Sequence, residues 1–159
     1  MILREQAAPR ADDTAYHGAA ARLKRWHQLV DTRDLASARP WLADTIEFHS
    51  PVLSKPKVGP DDTLEILNAV GRVMKDFTYC RELAAERTWV LEFEAVIEDT
   101  TSDDPALAGR RLSLKGVDIV QWDRPCWEDA ARIVHFEVMV RPLPVLQVLK
   151  NEMVKALMG

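Results

Sequence analysis

The sequence predicts an α+β fold, an antiparallel sheet covered on one face by helices, and three observations predict it. Apolar residues at helical spacing open the chain. Four segments that alternate apolar and polar side chains then follow one another as a meander, and a last helical stripe closes the chain. Helices first, then strands adjacent in sequence, pack as α+β. At 159 residues, with no linker-like break, the chain reads as one domain over 15–159 preceded by a loose arm over 1–14.

The first helix is predicted from Asp13 or Thr14 to about Asp31, because Tyr16, Ala20, Leu23, Trp26 or His27, and Val30 fall near one stripe. A shorter helix follows from Asp34, a good N-cap, to about Leu42, with Pro40 near its end. Residues 44–50 alternate, Ile46, Phe48 and Ser50 against Thr45, Glu47 and His49, and Pro51 stops that strand. Three prolines and a glycine make 51–60 an irregular loop. Asp61 or Asp62 then starts a helix whose Leu64, Leu67, Val70, Val73 and Met74 share a side.

The meander comprises 77–87, 89–97, 112–122 and 132–141. Trp89, Leu91, Phe93, Ala95 and Ile97 line one face of the second strand. The last puts Val134, Phe136, Val138 and Val140 inside, and Ile133, His135, Glu137 and Met139 outside. A longer loop, 123–131, joins the last two strands, and Leu146, Leu149, Met153 and Leu157 mark a C-terminal helix over 145–158.

The segment 112–122 contains the anomaly. Its even positions, Leu112, Leu114, Gly116, Asp118, Val120 and Trp122, form a face that is apolar except for one acid. A carboxylate there loses hydration, so it must be paired, hydrogen-bonded or protonated. No Lys or Arg shares its face in the neighbouring strands as assigned, so its pKa is expected to rise. The odd face, with Val117 and Ile119, suits partial exposure or a second subunit.

Composition narrows the partners. Twenty-one Lys and Arg against 25 Asp and Glu leave a net charge of -4, which gives no electrostatic support for nucleic acid or an anionic membrane. No stretch approaches the ~20 apolar residues of a membrane helix, and the start lacks a signal-peptide run. Cys80 and Cys126, without metal-binding spacing, read as free thiols. A cytoplasmic protein is expected.

The residues from Asp34-Leu35, through Leu42-Ala-Asp-Thr-Ile-Glu-Phe-His-Ser-Pro-Val52, Gly59 and Gly116-Val-Asp118 to Arg132-Ile-Val134 form an ordered set. Over about 15–141 it resembles the nuclear transport factor 2-like superfamily, which includes ketosteroid isomerases and SnoaL-like polyketide cyclases. The resemblance implies a cystatin-like cone: a strongly bent antiparallel sheet wrapped around the N-terminal helices, an apolar pocket at its open end, and an outer sheet face used for dimers. It also matches Asp118 to the neutral, proton-donating aspartate of ketosteroid isomerase. Two isomerase positions depart. Ser50 stands where the general-base aspartate precedes proline, and Trp26 stands for the oxyanion tyrosine. Steroid isomerisation by the family mechanism thus lacks its base.

Asp118 is the candidate catalytic residue, against a structural acid bonded to an indole or to backbone. Trp26, Phe48, Ser50, Phe93, Phe136 and Val138 are the candidate ligand contacts. Ser50 has no histidine on its own face, which argues against a nucleophile and leaves a ligand hydrogen bond or a plain strand ending. His49 and His135, with Glu47 and Glu137, share the outer face. A metal site is conceivable there, but solvated or interface residues are the commoner outcome, so no metal and no cofactor are assigned. Three functions stay open: a cofactor-independent isomerase, cyclase or lyase acting through Asp118; a non-catalytic binder of a small apolar molecule; and a dimeric scaffold whose pocket is filled by its own side chains.

Overall fold

The structure of the protein, a computed structural model, describes residues 11–159 and the side chains of residues 17–159. Helix α1 runs Ala11–Asp31, so it begins before the expected caps and takes in the end of the expected arm; the rest of that arm lies outside the described residues. Its C-terminus closes with Arg33 N-H donating to Val30 O and Asp34 N-H to Leu29 O, which puts Arg33 in the left-handed region at φ 57°. A short 3-10 helix, Leu35–Trp41, replaces the expected second α-helix. Asp34 precedes it but accepts from Ser37 Oγ at 2.6 Å and caps no backbone N-H, and Pro40 lies inside it.

Strand β1 is Leu42–His49, and the segment expected to be irregular contains a two-residue strand, β2, Lys57–Val58. Helix α2, Pro60–Val73, starts after Gly59 at φ 103°, a conformation that a side chain would strain, with Asp61 and Asp62 in its first turn. The remaining strands are β3 (Lys75–Ala84), β4 (Thr88–Glu98), β5 (Arg111–Trp122) and β6 (Ile133–Arg141), and α3 (Leu143–Met158) ends the chain.

One sheet joins all six strands in the order β2-β1-β6-β5-β4-β3. The expected antiparallel meander holds from β3 to β6, and β1 pairs antiparallel with β2. The two parts meet through a parallel pair, β1 and β6. Parallel neighbours need a long crossover, and α2 with the meander supplies it.

Alternation fails at one place with consequences. Trp122 faces Ile133 whereas Gln121 faces His135, so β6 carries one extra residue at Val134. The bulge turns Ile133 inward, where it is 1% exposed. Ile133 is therefore core and not part of the outer apolar face. Val117 and Ile119 remain half-buried on that face, and Met139 is 47% exposed.

Helix α3 packs on α2. Its buried positions are Val145, Val148, Leu149, Glu152 and Met153, so the stripe is rotated from the expected one and leaves Leu157 exposed. Glu152 explains the rotation: its Oε1 accepts from Thr100 N-H at 2.6 Å, tying the helix to the end of β4. Neither Cys80 nor Cys126 is in a disulfide. No helix among the described residues is long and apolar enough to cross a membrane.

Candidate active site

The bent sheet, α1 and α2 enclose a cavity of about 490 Å³. Its inner wall is built from five elements: Trp26 from α1, Tyr79 from β3, Phe93 from β4, Asp118 from β5, and Phe136 and Val138 from β6. Leu67 and Val70 of α2, with Met74 just past its end, close the opposite side, and the exposed Asp31, Arg33, Asn68, Arg72 and Asp76 form the rim. Two non-glycine residues of this rim, Arg33 and Asp76, hold left-handed backbone, at φ 57° and 50°. Strain of that kind collects at ligand sites.

Asp118 is 6% exposed. Its Oδ2 accepts a hydrogen bond from Tyr79 Oη at 2.8 Å, and Tyr79 Oη accepts one from Trp26 Nε1 at 3.1 Å. Among the described residues Oδ1 has no hydrogen-bond or ion-pair partner. Burial pushes the carboxyl up to about 7, and the Tyr79 hydrogen bond opposes that rise without reversing it. Tyr79 is itself raised well above the usual phenol value, first by burial and then by the negative charge of Asp118. The upward direction expected for Asp118 follows from the missing cation: strand neighbours opposite it are Leu91 and Val138.

His27 lies behind this chain of bonds. Its ring stacks on Tyr79 at 5.4 Å, and Nε2 is 2.9 Å from Glu82 Oε1 but off the axis of a hydrogen bond. Tyr79 and Phe77, both on β3, are the aromatic cavity residues that were not among the expected site residues. Tyrosine is the one type on that strand able both to line an apolar wall and to bond a buried acid, which was the available signal.

Of the expected ligand contacts, Trp26, Phe93, Phe136 and Val138 line the cavity together with Asp118. Phe48 and Ser50 do not. Phe48 is 1% exposed and stacks on Phe136 at 5.5 Å, behind the cavity wall. Ser50 borders a separate void of about 20 Å³ with Val52, Leu149 and Met153, and its Oγ accepts from Val52 N-H at 3.3 Å, as a strand ending does. The other tryptophans lie elsewhere. Trp41 and Trp89 pack on Trp122 at 6.1 and 5.1 Å, and Arg22 sits over Trp41 at 4.9 Å.

Fold and site together define a class: a cone of bent sheet and helices whose cavity holds a buried acid with no cation paired to it among the described residues. The likeness to solved structures agrees. A steroid delta-isomerase from Pseudomonas aeruginosa is 39% identical, with 89% of this chain and 92% of that one covered at a TM-score of 0.71. A bacterial protein with a cystatin-like fold from Silicibacter pomeroyi is 26% identical, over 91% and 90% of the two chains at a TM-score of 0.72. The fold alone is shared with a nuclear transport factor 2-like protein from Mesorhizobium loti, at 15% identity over 79% and 93% and a TM-score of 0.59. The chain belongs to the nuclear transport factor 2-like superfamily. A scan against protein-family models and a search of curated proteins return no match.

Proposed function

We propose that the chain binds a small, mainly apolar organic molecule bearing a carbonyl, and that Asp118 moves a proton to or from it, as in a cofactor-independent isomerase, cyclase or lyase. The observation that supports this most is Asp118 Oδ1, a carboxyl oxygen with no partner among the described residues in an otherwise apolar wall. With a pKa of about 7, both charge states are populated at neutral pH. The ionised form accepts a proton from a carbon acid, and the neutral form donates one to an oxygen or returns it to carbon. Tyr79 holds Oδ2 throughout and fixes the carboxyl plane.

The activity in the name of the Pseudomonas protein is not carried across. Ser50, in the place of the family's base, lies off the cavity. The scaffold reading loses its support for a different reason: of the tryptophans only Trp26 reaches the cavity, and space for a ligand remains.

Hydrogen-deuterium exchange of α-protons, followed by NMR over a panel of ketones, enones and β-keto esters in heavy water, tests the proposal. Wild-type protein should accelerate exchange in at least one compound that also binds, and Asp118→Asn should keep the binding and lose the exchange. Binding without exchange in the wild type would make the protein a carrier. Exchange that survives in the mutant would remove Asp118 from the chemistry.

A twofold dimer through the outer sheet face belongs to the same proposal. Val117, Ile119 and Met139 present apolar surface there, and burying it returns roughly 25 cal/mol per Å². Light scattering should give twice the chain mass at micromolar concentration, and a monomer would overturn this part.

A further inference from the structure

The outer face carries a second cluster that proton chemistry in the cavity does not use. Glu47 and His49 lie two apart on β1, and His135 and Glu137 two apart on β6. The parallel register sets Glu47 beside His135 and His49 beside Glu137, so the four side chains alternate in type around a square. The two imidazole rings lean across its diagonal, with centroids 4.6 Å apart. Donor atoms of Glu47, His49 and His135 all fall within 4.8 Å of one another. We propose that Glu47, His49 and His135 bind a divalent transition metal of the zinc type, with Glu137 beside His135 outside that set.

The distances fit a shared cation as well as they fit two hydrogen-bonded pairs. His49 Nε2 to Glu47 Oε2 and His135 Nε2 to Glu137 Oε2 are both 3.3 Å. A charge-assisted hydrogen bond closes to about 2.7–2.9 Å. Ligand atoms around a tetrahedral metal, each about 2.0–2.1 Å from it, stand about 3.3 Å apart. The surroundings agree. The strand neighbours of the cluster are Val58 on one side and Ile119 and Gln121 on the other, so no Lys or Arg is paired against its carboxylates. One carboxylate and two neutral imidazoles supply three ligands and leave the fourth position of a tetrahedral ion to water. Imidazole with carboxylate is a donor set suited to zinc. The site would staple β1 to β6, the one parallel seam in the sheet, beside the register shift in that pair.

The test uses the tag-free full chain, stripped with chelator and titrated with zinc by calorimetry and with cobalt(II) by visible absorption. One ion per chain is expected, with a tetrahedral cobalt spectrum and a melting temperature raised by about 5 °C at a hundredfold excess over Kd. His49→Ala and His135→Ala should each abolish the spectrum, while His17→Ala should not change it. If a histidine variant fails to fold, Glu47→Gln on the exposed rim should still weaken zinc binding at least tenfold. No saturable binding, or binding unchanged in the folded variants, would overturn the proposal and leave two histidine–glutamate pairs.

Discussion

Replacing Asp118 by Asn isolates the cost of the buried acid. The folded carboxyl is raised to about 7 from an ordinary value of 3.8, roughly three pH units. Each unit corresponds to about 1.36 kcal/mol, so ionising Asp118 costs the fold about 4 kcal/mol. The sign follows from proton binding. The folded state holds its proton more tightly than the unfolded state, so this contribution is complete below pH 4, declines as pH rises toward 7, and is gone above the folded value. Asparagine keeps an oxygen for the Tyr79 hydroxyl but has no proton to lose. Urea melts of both proteins across pH 4 to 8 read the difference directly. The advantage of Asp118→Asn should grow by about 4 kcal/mol over that range and then level off. A difference that stays flat would show that the carboxyl titrates as it does in water, and the reasoning from burial would fall with it.

Three further substitutions test the parts around it. Tyr79→Phe removes the hydrogen bond that holds the Asp118 pKa down, so the titration midpoint of the carboxyl, followed by carbon NMR, should move above its wild-type position. Gly116→Ala places a methyl against the Phe93 ring and 2.7 Å from Met139 O, backbone that cannot yield, and should cost about 1–3 kcal/mol or more in a denaturant melt. Arg33→Gly relieves left-handed backbone at the end of α1 and should raise stability by about 1 kcal/mol; a loss would mean that the guanidinium contributes more than the strain takes away.

What was legible in the sequence depended on how regular each strand is. Along β5 the alternation runs unbroken from Leu112 to Trp122, and every inward position, Asp118 included, could be placed from spacing alone. Strand β3 has two register shifts, one on each side of Thr78 and Tyr79, so parity says nothing secure about which of its residues face inward. Tyr79 was hidden by those shifts, as Ile133 was by the bulge in β6. Phe48 and Ser50 show a different limit. Parity correctly turned them inward, but it gives the face and not the height along the cone. The cavity occupies one end, and these two lie beyond it.

The missing height also decides the chemistry, because it sets which donors meet. An indole N-H can only donate, so Trp26 fixes Tyr79 Oη as its acceptor and leaves the phenol proton to go elsewhere. That proton goes to Asp118 Oδ2. When the carboxyl is neutral, a proton on Oδ2 would confront the phenol proton, so the arrangement that satisfies all three groups places it on Oδ1. The tryptophan that replaces the expected tyrosine on α1 therefore acts at a distance. By setting the direction of the chain, Trp26 leaves Oδ1 of Asp118, which has no partner among the described residues, as the oxygen that carries the proton of the neutral carboxyl.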